Sequence, residues 1–147
     1  MSLQAYDIAN TASQRVTTAL PMPAAAPIWH QTSYWIKSTA RQLCQFQKLQ
    51  PGWDSYGAVG ISRQAADLMI EVLADVMNPN APAPTIVPSA QGHLQAEWHM
   101  KGIDLEIEAI DSTHIVVDYD GPGGAWSEVL SVDLGKLVRA IDRLSTP

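Results

Sequence analysis

A chain of 147 residues, 46% of them hydrophobic, has the size and composition that fold around one core, which excludes disorder of the chain as a whole. Its net charge of −6, with nine Lys and Arg against fifteen Asp and Glu, repels phosphate backbones, so nucleic-acid binding is disfavoured and a basic protein is the natural partner. A lone cysteine (Cys44), no run near the ~18 apolar residues of a membrane span, and an N-terminus unlike a signal peptide lead to the expectation of a cytoplasmic protein without membrane contact.

Residues 1–27 are rich in Ser, Thr, Gln and Ala and end in Pro21-Met22-Pro23-Ala24-Ala25-Ala26-Pro27, the composition of a flexible arm and semi-rigid linker. A single α+β domain is expected over 28–147. Ile36, Ala40, Leu43 and Cys44, with Phe46 beside them, recur at helical spacing and predict a helix over 33–49, N-capped by Thr32 or Ser33 and stopped by Pro51. Cys44 on that apolar side reads as an inert core thiol, not a nucleophile. After the turn-forming Gly52-Trp53-Asp54-Ser55-Tyr56-Gly57-Ala58, Ser62 caps a second helix reaching about Met77. Its core face is Ala65, Met69, Val72, Leu73 and Val76, and Asp67, Glu71 and Asp75 mark its solvent side. Asn78-Pro79 ends that helix, and residues 80–84 make a Pro-rich extended connection.

From Thr85 the period changes to two. Leu94, Ala96 and Trp98, then Ile103, Leu105 and Ile107, then Ile115, Val117 and Tyr119 alternate with wetter residues, the pattern of antiparallel strands with one buried face. A further strand is expected over 125–130. A closing helix over 133–144 carries Leu134, Leu137, Val138, Ile141 and Leu144 on one side. The expected fold is two helices, a meander of about four strands and a C-terminal helix, with the helices on one sheet face.

Pairing apolar partners on that face requires a first hairpin loop of even length, and a four-residue loop, His99-Met100-Lys101-Gly102, puts glycine where positive φ is cheap. Glu97 then stands opposite Asp104, Gln95 opposite Glu106 and His93 opposite Glu108. With a second turn at Ile110-Asp111-Ser112, two rows cross the sheet, Glu97–Asp104–Asp118 and His93–Glu108–His114. The acidic row, with Glu106 beside it, suits a basic partner, and its plain alternative is a solvated face. The imidazole–carboxylate row suits a metal, and its plain alternative is a salt-bridged ladder. Trp53 and Tyr56 make either an exposed recognition patch or, with Trp53 plugging the base of the core, a turn in which Asp54 accepts backbone N–H groups. No Gly-x-Ser-x-Gly elbow is present. The glycines at 121–124 precede a strand and no Lys-Ser/Thr follows them, so neither a hydrolase nor a phosphate loop is indicated.

The helix followed by Gly52-Trp53-Asp54-Ser55-Tyr56-Gly57-Ala58, the helix beginning at Ser62, the 82–88 crossing and Gly92-His93-Leu94-Gln95-Ala96-Glu97-Trp98 resemble a loose group of small uncharacterised bacterial and phage-borne proteins. The likeness covers about residues 42–110. It implies a shared fold unit and carries no activity or catalytic residue with it, while a mobile-element setting points to an antitoxin, immunity or phage-accessory role. The resulting expectation is a non-enzymatic interaction module without cofactor, contacting a partner through Trp53, Asp54, Tyr56, Glu97, Asp104, Glu106 and Asp118, and compatible with a homo-oligomer. The alternative is a small metal-dependent protein or enzyme using His93, Glu108 and His114.

Overall fold

The computed structural model describes residues 34–147, and these form the expected α+β arrangement of three helices and an antiparallel sheet. In chain order the elements are α1 (Tyr34–Phe46), α2 (Arg63–Val76), β1 (Thr85–Pro88), β2 (Leu94–Met100), β3 (Ile103–Ala109), β4 (Ile115–Asp120), β5 (Trp126–Val129) and α3 (Gly135–Ser145). The strands lie side by side in the order β1-β2-β3-β4-β5. This is one strand more than the four expected, the addition being β1, an edge strand paired with β2. The arm expected over 1–27, the domain start at Ile28 and the first helix's cap at Thr32 or Ser33 lie outside the described residues. No helix among the described residues is long and apolar enough to cross a membrane.

Period-two alternation decides which face is buried. Leu94, Ala96 and Trp98 of β2, Ile103, Leu105 and Ile107 of β3, and Ile115, Val117 and Tyr119 of β4 are all buried, joined by Ile86 of β1. Onto this layer α2 lays Ala65, Ala66, Met69, Val72, Leu73 and Val76, and α3 lays Leu137, Ala140, Ile141 and Leu144, making one continuous core. Local hydrogen bonds mark the starts of α2 and α3. Ser62 Oγ accepts the Ala65 N–H at 3.2 Å, and Asp133 Oδ1 accepts the Gly135 N–H at 2.9 Å. The buried Trp98 indole donates to the Pro82 carbonyl at 2.8 Å, so the Pro-rich connection satisfies its one polar atom.

Helix α1 corrects the sequence reading. Its buried residues are Trp35, Thr39 and Leu43, while Ile36, Ala40 and Cys44 are exposed. The two faces share Leu43 and differ by one position, about 100° around the helix. Trp35, with more apolar area than Ile36, turns its side inward, and Cys44 is a surface thiol. On the same helix Gln42 Oε1 accepts the Ile86 N–H at 2.9 Å, which covers an amide on the outer edge of β1.

This orientation yields a paired test by chemical denaturation. Trp35→Ala should lower stability by about 3–5 kcal/mol, the range for deleting a buried large aromatic. Ile36→Ala should stay within about 0.5 kcal/mol, as for an exposed position. Equal losses would restore the helix face expected from sequence.

Candidate functional site

The register of the meander fixes what the uncovered face presents. The β2–β3 hairpin closes on Lys101 and Gly102 alone, with φ of 55° and 70°, so the loop has two residues and not four. Apolar parity is kept, but each β2–β3 neighbour moves by two positions. The second turn is also displaced from the expected Ile110-Asp111-Ser112: Ala109 pairs with Ile115 and the Ile110 N–H donates to the His114 carbonyl, which leaves Asp111, Ser112 and Thr113 in the turn and moves each β3–β4 neighbour by two as well. Glu97 stands opposite Glu106, not Asp104, and Glu106 in turn stands opposite Asp118. Thr85 and Ser127 flank this row, which reads Thr85–Glu97–Glu106–Asp118–Ser127 across all five strands. The next row toward the Lys101 turn is His99–Asp104–Asp120. On the other side Val87, Gln95, Glu108, Val116 and Val129 make a row with a single charge.

Three adjacent carboxylates in one row, bordered by Asp104 and Asp120, place same-sign charges directly opposite one another, an arrangement that is destabilising by itself. No Lys or Arg stands in these rows. The group that answers them is His99, whose Nδ1 lies 2.8 Å from Asp104 Oδ1 and whose Nε2 lies 3.3 Å from Glu97 Oε2. Hydrogen bonding to Asp104 first and Glu97 second holds the imidazole pKa above its ordinary 6.5. His99, Asp104, Glu106, Asp118, Asp120 and Trp126 line a depression of about 620 Å3 on this side. His99 and Asp120 were not singled out from sequence, because the four-residue loop removed His99 from the strand. A Lys-Gly pair closing a two-residue turn would have placed it opposite Asp104.

The imidazole–carboxylate row does not assemble. His93 Nδ1 is 2.9 Å from Glu108 Oε1, a diagonal contact from the residue preceding β2. His114 instead turns into its own hairpin, its Nδ1 2.9 Å from Asp111 Oδ2. Asp111 Oδ1 also accepts the backbone N–H groups of Thr113 and His114, and with the His114 ring these bonds hold its pKa well below the usual carboxylate range. The metal reading built on His93, Glu108 and His114 therefore loses its third ligand. Among the described residues the group that brings three ligand atoms together is Glu97, His99 and Glu106, within 4.8 Å of one another. Both His99 nitrogens are occupied by carboxylates there.

The Trp53–Tyr56 segment is separate, lying in the α1–α2 connection. Asp54 Oδ1 accepts the N–H groups of Tyr56 (2.8 Å) and Ala58 (2.9 Å), and the Ala58 bond first and the Tyr56 bond second lower its pKa. Trp53 is partly buried and outside the core, so it is not the expected core plug. Its indole N–H donates to the Val59 carbonyl at 3.1 Å and closes the loop. Tyr56 stands 93% exposed at the tip. The loop then meets the second half of the resemblance, since a Cβ on Gly92 would stand 2.8 Å from the Gly60 carbonyl oxygen. The Gly-Trp-Asp loop and the Gly-x-Leu hairpin are thus one packed unit. Trp53, Asp54 and Gly92 hold it together, and Tyr56 is the aromatic of the loop left exposed.

The His99 assignment has a pH signature. Because its folded pKa is raised, its stabilising contribution is fully present below 6.5 and is lost as pH rises through the folded-state value. NMR titration of the ring should give a midpoint above 6.5. Asp104→Asn should move it down further than Glu97→Gln, and the melting difference between wild type and His99→Gln should shrink as pH rises. A midpoint unmoved by Asp104→Asn would remove Asp104 as the cause.

Comparison with protein-family models, with curated proteins and with solved structures finds no match to this chain.

Proposed function

We propose that the protein is a non-enzymatic interaction module whose uncovered sheet face docks a partner protein carrying a basic surface. The observation that carries this reading is the row Glu97–Glu106–Asp118, bordered by Asp104 and Asp120 and countered, among the described residues, by His99 alone. A cationic partner relieves the cross-strand repulsion within the row, so binding gains from contacts that the isolated fold lacks. Same-sign charge over one face also steers encounter and raises association rates, more strongly at low salt. An antitoxin, immunity or phage-accessory protein that neutralises a basic target would use such a surface, and the resemblance to phage-borne proteins agrees with that class. Tyr56 offers a second, apolar contact in its own loop.

The test compares two variants that remove the same number of charges. Glu97→Gln/Glu106→Gln/Asp118→Asn strips the row, and Asp67→Asn/Glu71→Gln/Asp75→Asn strips the exposed side of α2. With a lysine-rich model peptide as probe, the sheet variant should bind about tenfold or more weaker than wild type, a difference of ~1.4 kcal/mol or more, with a flatter salt dependence. The α2 variant should stay within about threefold of wild type, a few tenths of a kcal/mol. Equal weakening would show that net charge, and not this face, attracts the peptide, and the docking reading would fall.

A further inference from the structure

We propose a second site of opposite charge, an oxyanion-binding pocket between α3 and the 121–124 loop that takes one phosphoryl or carboxylate group. Lys136, Arg139 and Arg143 recur at i, i+3 and i+7 along α3 and line a depression of about 160 Å3 with Gly123, Gly124 and Trp126. At ~30 Å3 per water this is room for roughly five waters, which suits a single tetrahedral or planar anionic group. Three of the nine Lys and Arg of a chain with net charge −6 converge here, so the pocket runs against the charge of the molecule as a whole.

The two arginines are not consumed by carboxylates of the described residues. Arg143 Nη1 donates to the Tyr119 hydroxyl at 2.9 Å and to the Pro122 carbonyl, both neutral acceptors. Among the described residues neither Arg139 nor Arg143 is ion-paired. Lys136 Nζ lies 2.9 Å from Glu128 Oε2 and 5.4 Å from the centre of the Trp126 ring. Glu128 is therefore the one carboxylate at ion-pair distance from the three cations among the described residues. A guanidinium has five N–H donors in a fixed fork, and the two bonds from Nη1 leave Nε and Nη2 for a ligand.

The loop keeps that guanidinium open. Gly123 and Gly124 have φ of 94° and 98°, in the region that favours glycine. A Cβ at Gly123 would stand 3.5 and 3.6 Å from Nη1 and Nη2 of Arg143, so any side chain there would lie over the charged group, whereas a Cβ at Gly124 would meet nothing within 4 Å. Trp126, stacked on Tyr119 with ring centres 5.4 Å apart, supplies an apolar wall beside the cations. Such a wall strengthens charge-assisted hydrogen bonds to an anion.

The experiment titrates the full chain with inorganic phosphate, and in a separate arm with acetate, at ionic strength held constant with chloride. The amide resonances of Gly123 and Gly124 are followed by NMR. Saturable shifts with phosphate alone identify a phosphoryl site, and saturable shifts with both anions identify a general oxyanion site. Lys136→Gln/Arg139→Gln leaves the Arg143 bonds to Tyr119 and Pro122 in place and should keep the wild-type spectrum elsewhere. It should weaken binding about tenfold or more, the effect of losing charge-assisted hydrogen bonds. Shifts that rise linearly without saturation for both anions, or saturate equally in the double variant, would overturn the proposal.

Discussion

Lys101 and Gly102 both sit at positive φ, and this pair closes the β2–β3 hairpin with the twist that the flanking strands need. The β2–β3 cross-strand neighbours are counted from that turn. For lysine the left-handed region costs roughly 1–2 kcal/mol. The side chain offsets that strain from outside the hairpin, since Lys101 Nζ donates to the Leu144 carbonyl at 3.1 Å and to the Thr146 carbonyl. An ammonium group at the C-terminal end of α3 also meets the negative end of the helix dipole. The β2–β3 register and the C-terminal end of α3 are thereby tied to one side chain.

That dependence explains what could be read from the residues alone. The parity of each strand was legible, because Leu94, Leu105 and Val117 lead alternations in which a one-residue slip would bury charges. The offset was not, because slips by two keep the same parity and only the turn chooses among them. A four-residue loop and a two-residue loop both end on Gly102, and nothing in the pattern shows that Lys101 takes positive φ. The turn between β3 and β4 slipped by two in the same way, so the acidic row was expected with Asp104 in its centre, where Glu106 stands. In α1 the error had another source. Ile36, Ala40 and Cys44 make as regular a stripe as Trp35, Thr39 and Leu43, and the choice between them is made by tertiary packing against β1. The cation spacing of α3 was visible in the sequence, but its meaning depends on the 121–124 loop folding back over Arg143.

Opposite charges are kept apart by the Tyr119–Trp126 stack. These two rings line both the acidic depression and the basic pocket. Tyr119 is buried in the core and fixed through its hydroxyl, which donates to the Pro122 carbonyl at 3.0 Å and accepts from Arg143. Gly121 leaves room for that hydroxyl, since a Cβ there would stand 2.8 Å from it. The aromatic pair thus acts as a partition. Asp118 and Asp120 point to one side of the sheet and the cations of α3 lie on the helix side, so the two sets do not cancel in intramolecular ion pairs.

An uncovered sheet face needs only polar side chains to stay in water, and mixed ladders of opposite charge would serve that need while adding roughly 0.2–1 kcal/mol per cross-strand pair. This face does the reverse. Glu97 opposes Glu106, Glu106 opposes Asp118 and Asp104 opposes Asp120, while the Lys and Arg of the described residues stand elsewhere. Stability of the isolated fold therefore does not account for the pattern. Neither does general acidity, because α3 concentrates three cations on the same small domain. His99, when protonated, answers part of the repulsion through Asp104 and Glu97. On the docking reading proposed above, a cationic surface laid across the row would answer the rest, and the electrostatic energy stored in the free face would add to the driving force for association.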